Sequence, residues 1–199
     1  MSPAPRTTRA ARAPAVVGAA PRDPALLAVA AGLALLLVRP EVVRAVASPI
    51  PALAVLYGVL LAVSVLPRLH AERAPPLGPG WSLALGSAAV VLAWLAVRTP
   101  AVPVRAGSAA LVLDTLAAVA EEALFRRLLY GWLLRWGAVV AVAGSAVAFA
   151  LIHVPTYGLA ALPVDLGAGL VLSWQRWAGG RWEISATTHA LANLLVVLG

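Results

Sequence analysis

Two adjacent glutamates and an arginine interrupt an apolar segment of the chain, in the run AEEALFR at 120–126. On a helix, Glu122 and Arg126 lie four residues apart on one face, so an ion pair between them is expected. Glu121 points about 100° away and is expected to lack this partner. A carboxylate held in an apolar cavity suits a general base that deprotonates water. The alternative is that both glutamates pair with Arg126 and Arg127 near the cytoplasmic surface.

Two later apolar segments each contain a histidine with a second residue of interest four positions away. The first runs from Phe149 to His153 and the second from His189 to Asn193. In each, the two end residues share a helix face. His189 and Asn193 together offer hydrogen-bond donors for an oxyanion. The alternatives are that His153 is an interfacial or hydrogen-bonded core residue, and that His189 and Asn193 make hydrogen bonds between packed helices.

The positions of these polar residues are informative because a charged side chain near the bilayer centre costs at least ~2.5 kcal/mol. The helices that carry Glu121 and His153 are expected to form an antiparallel hairpin that turns at 135–137. At ~1.5 Å per residue the two side chains lie about 21 and 27 Å from that turn, so they are nearly level. His189 lies on a third helix, about 12 Å from its start near Arg181. The three motifs can therefore meet in one water-filled pocket.

Seven apolar runs make up most of the chain and must position these residues. They cover 25–38, 50–66, 81–97, 106–134, 136–153, 159–174 and 182–198. A spanning helix needs roughly 20 apolar residues, so the runs predict an all-α, polytopic transmembrane helical bundle of about seven spans, with six to eight compatible with their lengths. The first run is short enough for a signal-peptide core, but the charges that follow it favour a retained helix. Asp114 is expected in the outer headgroup region, and Asp165 is a candidate for lining the pocket.

The N-terminal residues 1–24 are rich in Ala, Pro and Arg and have no apolar periodicity. This predicts a disordered basic cytoplasmic tail. Residues 25–199 are predicted to form a single transmembrane domain, with the catalytic core at about 106–199. With the N-terminus in the cytoplasm, eleven arginines fall inside and four, including Arg39 and Arg44, fall outside. The positive-inside rule therefore predicts a cytoplasmic N-terminus.

The composition indicates a membrane protein and excludes several other classes. The chain is 62% hydrophobic and 12% charged, whereas soluble domains are about half apolar and about a quarter charged. The absence of cysteine excludes disulfides, cysteine-ligated zinc and iron–sulfur clusters. The net charge of +7 comes from arginines scattered at the edges of apolar runs. That placement is typical of membrane anchoring and not of nucleic-acid binding. The predicted location is the bacterial cytoplasmic (inner) membrane, within the lipid bilayer.

The three motifs in order, each on its own apolar helix, resemble those of the CPBP intramembrane proteases. This family comprises the CAAX prenyl proteases and a bacteriocin-processing group, also labelled Abi. The resemblance covers about 114–195, some two-fifths of the chain, and includes the Phe125–Arg126 pair and the turn at 179–182. Arg127 departs from the pattern, because relatives usually carry glycine there. The N-terminal half, up to about Arg105, carries no family motif.

The resemblance implies a role for each motif residue. Glu121 would activate the attacking water, with His153 helping to position it. His189 and Asn193 would stabilise the oxyanion of the tetrahedral intermediate. The remaining motif residues would brace the site: Glu122, Arg126 and Phe149. Members of the family have been described both as metalloproteases and as metal-independent glutamate proteases. Since the sequence lacks His-Glu-x-x-His and the two histidines lie on separate helices, no cofactor is predicted, and metal dependence stays open.

The predicted function is therefore that of an intramembrane endopeptidase that uses glutamate-activated water. Its partner would be a membrane-anchored protein or peptide substrate: a prenylated or lipid-anchored C-terminus, a peptide leader or a C-terminal sorting signal. One alternative is a non-enzymatic membrane protein, such as a bacteriocin-immunity factor or a scaffold, in which the polar residues serve packing. Another is a proton-coupled transporter, which the lack of internal repeats disfavours.

Overall fold

The computed structural model describes residues 23–67, 75–97 and 107–198, and every regular element within them is helical. The all-α prediction is confirmed over these residues. The predicted tail lies outside them except for its last two residues. The α-helices are α1 Pro24–Ala45, α2 Pro49–Val65, α3 Pro79–Val97, α4 Ser108–Glu122, α5 Tyr130–Leu133, α6 Ala138–Tyr157, α7 Leu162–Gly179 and α8 Trp182–Leu198.

Each apolar run predicted from the sequence corresponds to one long helical segment. The fourth is composite, because α4 continues through a π-helical turn, Ala123–Leu129, into α5 and ends in a 3-10 turn at Leu134–Trp136. By length and apolar character, α1, α3 over Pro79–Ala96, and α6 are able to cross a membrane, and α2 is apolar but shorter. The molecule is thus a helical bundle with at least three candidate spans among the described residues.

The helices pack around a buried apolar cluster contributed by α1, α2, α4, α6 and the π-helical turn. Leu60, Leu124 and Leu128 in this cluster have no exposed surface. Large apolar side chains such as Val55 and Val139 lie on the outside instead, 68% and 82% exposed. Extensive apolar surface of this kind is costly in water and is stable against lipid acyl chains.

Two glycines allow the turns and the close approach that the bundle needs. The predicted hairpin between the fourth and fifth runs turns at Gly137, whose φ of 101° disfavours residues with a side chain. On α7, a Cβ atom at Gly169 would lie 2.9 Å from the carbonyl oxygen of Ala146 on α6. The small residue therefore lets α6 and α7 approach closely beside the motif residues.

Asp23 caps α1 and ties its start to the end of α5. Its carboxylate accepts hydrogen bonds from the backbone N–H groups of Ala25 and Leu26, and Pro24 occupies the first helical position. The same carboxylate accepts hydrogen bonds from the Trp132 indole at 2.9 Å and the Arg135 guanidinium at 2.7 Å. Helix α1 therefore begins at Pro24, one residue before the predicted boundary, because a local cap is available there.

The capping carboxylate is expected to make stability depend on pH. Hydrogen bonds from Arg135 and Trp132 lower the pKa of Asp23 from 3.8 to about 2. A lowered folded-state pKa contributes stability above pH 3.8 that is lost as the pH falls towards 2. Because asparagine also caps helices, Asp23→Asn removes the charge and keeps the cap. We expect its unfolding temperature in detergent to be lower than that of the wild type near pH 7 and equal to it near pH 2. A difference that is constant with pH would contradict this assignment.

Arg127, the departure from the family pattern, has a structural explanation. Its guanidinium donates hydrogen bonds to the carbonyl oxygens of Ser64 and Pro67 at the C-terminal end of α2. The last carbonyls of a helix have no partners within the helix, and a cation there is favourable. Arg127 therefore joins the π-helical turn to the end of α2, which glycine in its place would not do.

Candidate active site

The ion pair predicted from the spacing of Glu122 and Arg126 is present. The Arg126 guanidinium donates to Glu122 Oε1 at 3.0 Å and to the Gly169 carbonyl oxygen at 3.2 Å. Both charged residues are fully buried. The guanidinium carbon also lies 4.4 Å from the centre of the Phe149 ring. Phe149 thus packs directly on the ion pair, which agrees with the supporting position expected for it.

His189 on α8 joins this buried pair. Its Nδ1 lies 3.0 Å from Glu122 Oε1, and its ring meets the edge of the Phe149 ring at 5.6 Å. A carboxylate only accepts hydrogen bonds, so the Nδ1–H group of His189 is the donor. The second ring nitrogen, Nε2, donates to an oxyanion only when the imidazole carries both protons. The expected oxyanion role of His189 therefore requires an imidazolium ring, and Glu122 supplies a neighbouring negative charge.

Glu121 lacks Arg126 as a partner, as predicted, because Arg126 pairs with Glu122, but Glu121 does not stand alone. The Arg39 guanidinium of α1 donates to Glu121 Oε1 at 3.0 Å. In the sequence, Arg39 follows the apolar run that ends at Val38, and it was predicted to lie on the outer side of the membrane. In the structure α1 continues through Pro40 to Ala45. Arg39 is therefore a buried helical residue that faces the bundle interior.

Arg39 connects four helices around the glutamate. Besides Glu121 on α4, it donates hydrogen bonds to the Tyr57 hydroxyl of α2 at 3.2 Å and to Thr156 Oγ1 of α6 at 3.0 Å. An arginine that precedes a proline at the end of an apolar run is easily taken for a membrane boundary. Its rarity inside an apolar helix was the signal that could have identified it as functional.

His153 faces the second oxygen of Glu121. Its Nδ1–H donates to the Phe149 carbonyl oxygen at 2.7 Å, so Nε2 is directed to Glu121 Oε2, 3.6 Å away. The ring lies between two aromatic side chains, Phe149 at 4.5 Å and the parallel ring of Tyr157 at 5.7 Å. These contacts hold the imidazole in one orientation. The four-residue spacing of Phe149 and His153 therefore positions the histidine through a backbone carbonyl and a ring contact.

One cavity of about 310 Å³ brings the motif residues together. It is lined by all four residues predicted to be catalytic: Glu121, His153, His189 and Asn193. The Asn193 amide donates to the Asp114 carbonyl oxygen at 3.3 Å. Asp114, expected near the headgroups, lines the same cavity, and so does Asp165. The lining also includes residues that the sequence analysis did not select: Arg39, Tyr57, Tyr157 and Thr188.

The helix that carries the two glutamates changes its hydrogen-bonding pattern directly after them. The π-helical turn begins at Ala123 and includes Arg126, whose carbonyl oxygen accepts a hydrogen bond from Arg176 Nε of α7 at 2.9 Å. Single π-helical turns within α-helices often occur at functional sites. Here the turn lies directly on the C-terminal side of both glutamates and contains Arg126.

The two motif glutamates make separate sets of contacts and, in the part of the chain that the structure describes, belong to no metal-binding cluster. Among the residues that the structure describes, no three His, Asp or Glu side chains are arranged to hold one ion. Glu121 contacts Arg39 and His153, and Glu122 contacts Arg126 and His189. The charge of each carboxylate is thus offset by a guanidinium, which does not suit a dication. The donor set does not fit a zinc site.

Comparison with known proteins agrees with this geometry. Residues 103–195 match the family model described as Rce1-like, type II CAAX prenyl endopeptidase Rce1-like. The matched segment contains all three motifs and excludes α1, so Arg39 lies outside it. The chain has no significant match among curated proteins or among solved structures. The resemblance found in the sequence is confirmed: the segment that carries the three motifs matches the CPBP/CAAX protease family.

Proposed function

We propose that this protein is an intramembrane endopeptidase in which Glu121 activates water for attack on a peptide bond in the 310 Å³ cavity. The observation that carries the proposal is the arrangement of Glu121 Oε2 and His153 Nε2, 3.6 Å apart, on the wall of a cavity that His189 and Asn193 also line. A carboxylate and an imidazole that face one cavity can both contact one water molecule on the cavity side, and the carboxylate can deprotonate it.

The two oxygens of Glu121 have different tasks in this mechanism. Oε1 is held by the Arg39 guanidinium at 3.0 Å, which fixes the position of the carboxylate. Oε2 takes the proton of a water molecule that His153 orients, and the water oxygen bonds to the carbonyl carbon of the substrate. The C–N bond then breaks as the same carboxylate returns the proton to the leaving amine. Glu121 thus accepts one proton and later returns it, so the reaction requires no other acid or base.

The oxyanion of the tetrahedral intermediate is assigned to His189 and Asn193. Donors held in place before the reaction lower the barrier because they need not reorient when charge develops. The hydrogen bond from His189 to Glu122 at 3.0 Å orients the imidazole ring, and the Glu122–Arg126 pair in turn holds that carboxylate. These contacts support the bracing role proposed for Glu122 and Arg126.

The proposed substrate is a membrane-anchored protein or peptide, and the description of the matched family favours a prenylated C-terminus over a peptide leader or a sorting signal. We propose about seven membrane spans, an N-terminus in the cytoplasm and a location in the bacterial inner membrane. The excess of arginine in the predicted inside segments supports that orientation. Addition of a cysteine-reactive, membrane-impermeant label to single-cysteine variants of this cysteine-free chain tests the topology directly.

The test of function is turnover of membrane-anchored peptides by the full chain in liposomes. A prenylated peptide with a CAAX-type ending, a lipid-anchored peptide leader and a sorting-signal peptide are incubated separately with the wild type and with Glu121→Gln. Mass spectrometry identifies the cleaved bond. We expect cleavage of at least one peptide by the wild type and none above background by the variant. If none is cleaved by the wild type, or if both proteins cleave equally, the proposal is wrong.

Removal of divalent metal is expected to leave turnover unchanged. The carboxylates of Glu121 and Glu122 are paired with guanidinium groups, and the described residues offer no three-ligand cluster. Dialysis against a chelator, followed by metal analysis of the protein, provides the measurement. Loss of turnover on chelation with recovery on addition of zinc would contradict the metal-independent mechanism. It would leave the endopeptidase assignment in place.

A further inference from the structure

A second cavity adjoins the proposed catalytic cavity and is the subject of this inference, which rests on the proposed function. It has a volume of about 490 Å³ and lies between the ends of α1 and α6 and the first half of α2. Three residues line both cavities and form the wall between them: Arg39, Tyr57 and Tyr157. The second cavity is called the outer cavity below.

The charge of the outer cavity is entirely positive. Its lining contains two guanidinium groups, Arg39 and Arg44, and no carboxylate. Hydroxyl groups of Tyr57, Thr156 and Tyr157 add hydrogen-bonding capacity, and the remaining lining residues are apolar. A pocket with two guanidiniums and several hydroxyls favours a ligand that carries anionic oxygens.

Arg44 is available for such a ligand. Its partner in the structure is Glu41, one helical turn earlier, and both side chains are mostly exposed, at 67% and 64%. Ion pairs between exposed side chains are weak and easily exchanged. Arg39, by contrast, is held by Glu121, Tyr57 and Thr156. Arg44 is therefore the cation that can turn towards a ligand while Arg39 stays in place.

The distance between the two arginines matches a short peptide segment. Five residues separate them along α1, which corresponds to about 7.5 Å of helix rise. Arg39 directly contacts the proposed catalytic Glu121. Extended chain covers about 3.3–3.6 Å per residue, so a peptide bond placed at Glu121 leaves room for a few residues between that bond and Arg44.

We propose that the outer cavity binds the free C-terminal carboxylate of the peptide substrate, with Arg44 as its principal cationic partner. Recognition at this site selects peptide bonds that lie close to a free chain end. Arg39 and the two tyrosines separate the carboxylate from Glu121, so the two negative charges are not brought together. An anionic lipid headgroup offers similar oxygens, and the experiment below distinguishes the two sources.

The test compares two prenylated CAAX-type peptides that differ only in their end, a free carboxylate or a carboxamide. The full chain is assayed in liposomes of zwitterionic phosphatidylcholine as wild type, Arg44→Gln and Arg181→Gln. Arg181 is the matched control because it is 66% exposed, pairs with Glu183 and lies at the start of α8. Amidation is expected to lower kcat/KM by about 10-fold or more in the wild type and the control, mainly through KM, since bonds to charged groups are strong. In Arg44→Gln, the ratio of kcat/KM for the free acid to kcat/KM for the amide is expected to fall below about 3-fold.

Equal cleavage of both peptides by the wild type, or an unchanged ratio in Arg44→Gln, would overturn the inference. Addition of anionic phosphatidylglycerol is the lipid arm of the experiment. Phosphatidylglycerol overturns the proposal if it abolishes the preference for the free carboxylate in the wild type and also stabilises the wild type against heat more than Arg44→Gln. In that case the outer cavity binds the lipid headgroup.

A binding measurement keeps the inference distinct from the proposed function. If the wild type cleaves neither peptide, the proposed function fails for this substrate class. Binding of the same peptides is then followed by thermal unfolding of the detergent-solubilised protein, with tryptophan fluorescence as the signal. Greater stabilisation by the free acid than by the amide, lost in Arg44→Gln and kept in Arg181→Gln, supports the carboxylate site. Equal stabilisation by both peptides overturns it.

Discussion

Replacing Glu121 with glutamine is expected to lower peptide turnover by about 100-fold or more, the usual contribution of a general base. Glutamine has the size of glutamate, and its oxygen can still accept the hydrogen bond from Arg39 made at 3.0 Å. An amide does not take up the proton of the attacking water. The loss of turnover therefore reports the missing proton transfer and not a change in side-chain shape. The measurement is kcat for a prenylated peptide with the full chain in liposomes.

The matched control for this experiment is Glu183→Gln. Glu183 is half-exposed at the start of α8 and pairs with Arg181 outside the cavity, so its removal is expected to change turnover little. Because Glu121→Gln leaves Arg39 without its counter-charge, the unfolding transition of each variant is compared as well. Turnover retained by a folded Glu121→Gln protein would refute the general-base role. It would favour the non-enzymatic alternative, an immunity factor or a scaffold.

Replacing Arg126 with methionine is expected to destabilise the bundle by about 3 kcal/mol or more. Arg126 and Glu122 are both fully buried, and their ion pair joins α4 to the π-helical turn. Removing one partner leaves a buried carboxylate without its main counter-charge. The hydrogen bond to the Gly169 carbonyl oxygen on α7 is lost too. The remaining contact of Glu122 with His189 only partly compensates. Equilibrium unfolding in mixed detergent micelles provides the measurement.

Two comparisons distinguish the loss of this ion pair from a general effect of removing arginine. Arg181→Met breaks an exposed pair and is expected to cost at most about 1 kcal/mol. The double variant Glu122→Leu with Arg126→Met removes both charges and is expected to regain part of the stability lost in Arg126→Met alone. A single variant as stable as the wild type, or a double variant no more stable than Arg126→Met, would contradict a buried, coupled pair.

Much of the fold followed from the sequence because its elements are set by neighbours along the chain. Seven apolar runs separated by proline and glycine predicted seven long helical segments, and each is present. The four-residue spacing of Glu122 and Arg126 predicted their ion pair, since side chains at this separation meet on any α-helix. The motif order also predicted the resemblance to the CPBP/CAAX protease family, which the match at 103–195 confirmed.

The ends of the helices were harder to predict from the sequence. A hydropathy boundary at Val38 suggested that the first helix ended there, whereas α1 continues to Ala45. A helix ends where backbone hydrogen bonds end, and charged residues are compatible with further turns, so hydropathy alone underestimated its length. Arg39 was therefore predicted to lie outside the membrane, whereas in the structure it lies on α1 and contacts Glu121 in the bundle interior.

The sequence alone predicted the helices, the faces that residues share within each helix and the candidate residues for hydrolysis. Which helices contact one another became known only from the tertiary structure. The Arg39–Glu121 pair joins residues 82 positions apart, and Arg127 reaches the end of α2 from 60 or more positions away. The reason is physical: contacts within a helix follow from its fixed rise and rotation per residue. Contacts between helices depend on how side chains from distant segments pack together in three dimensions.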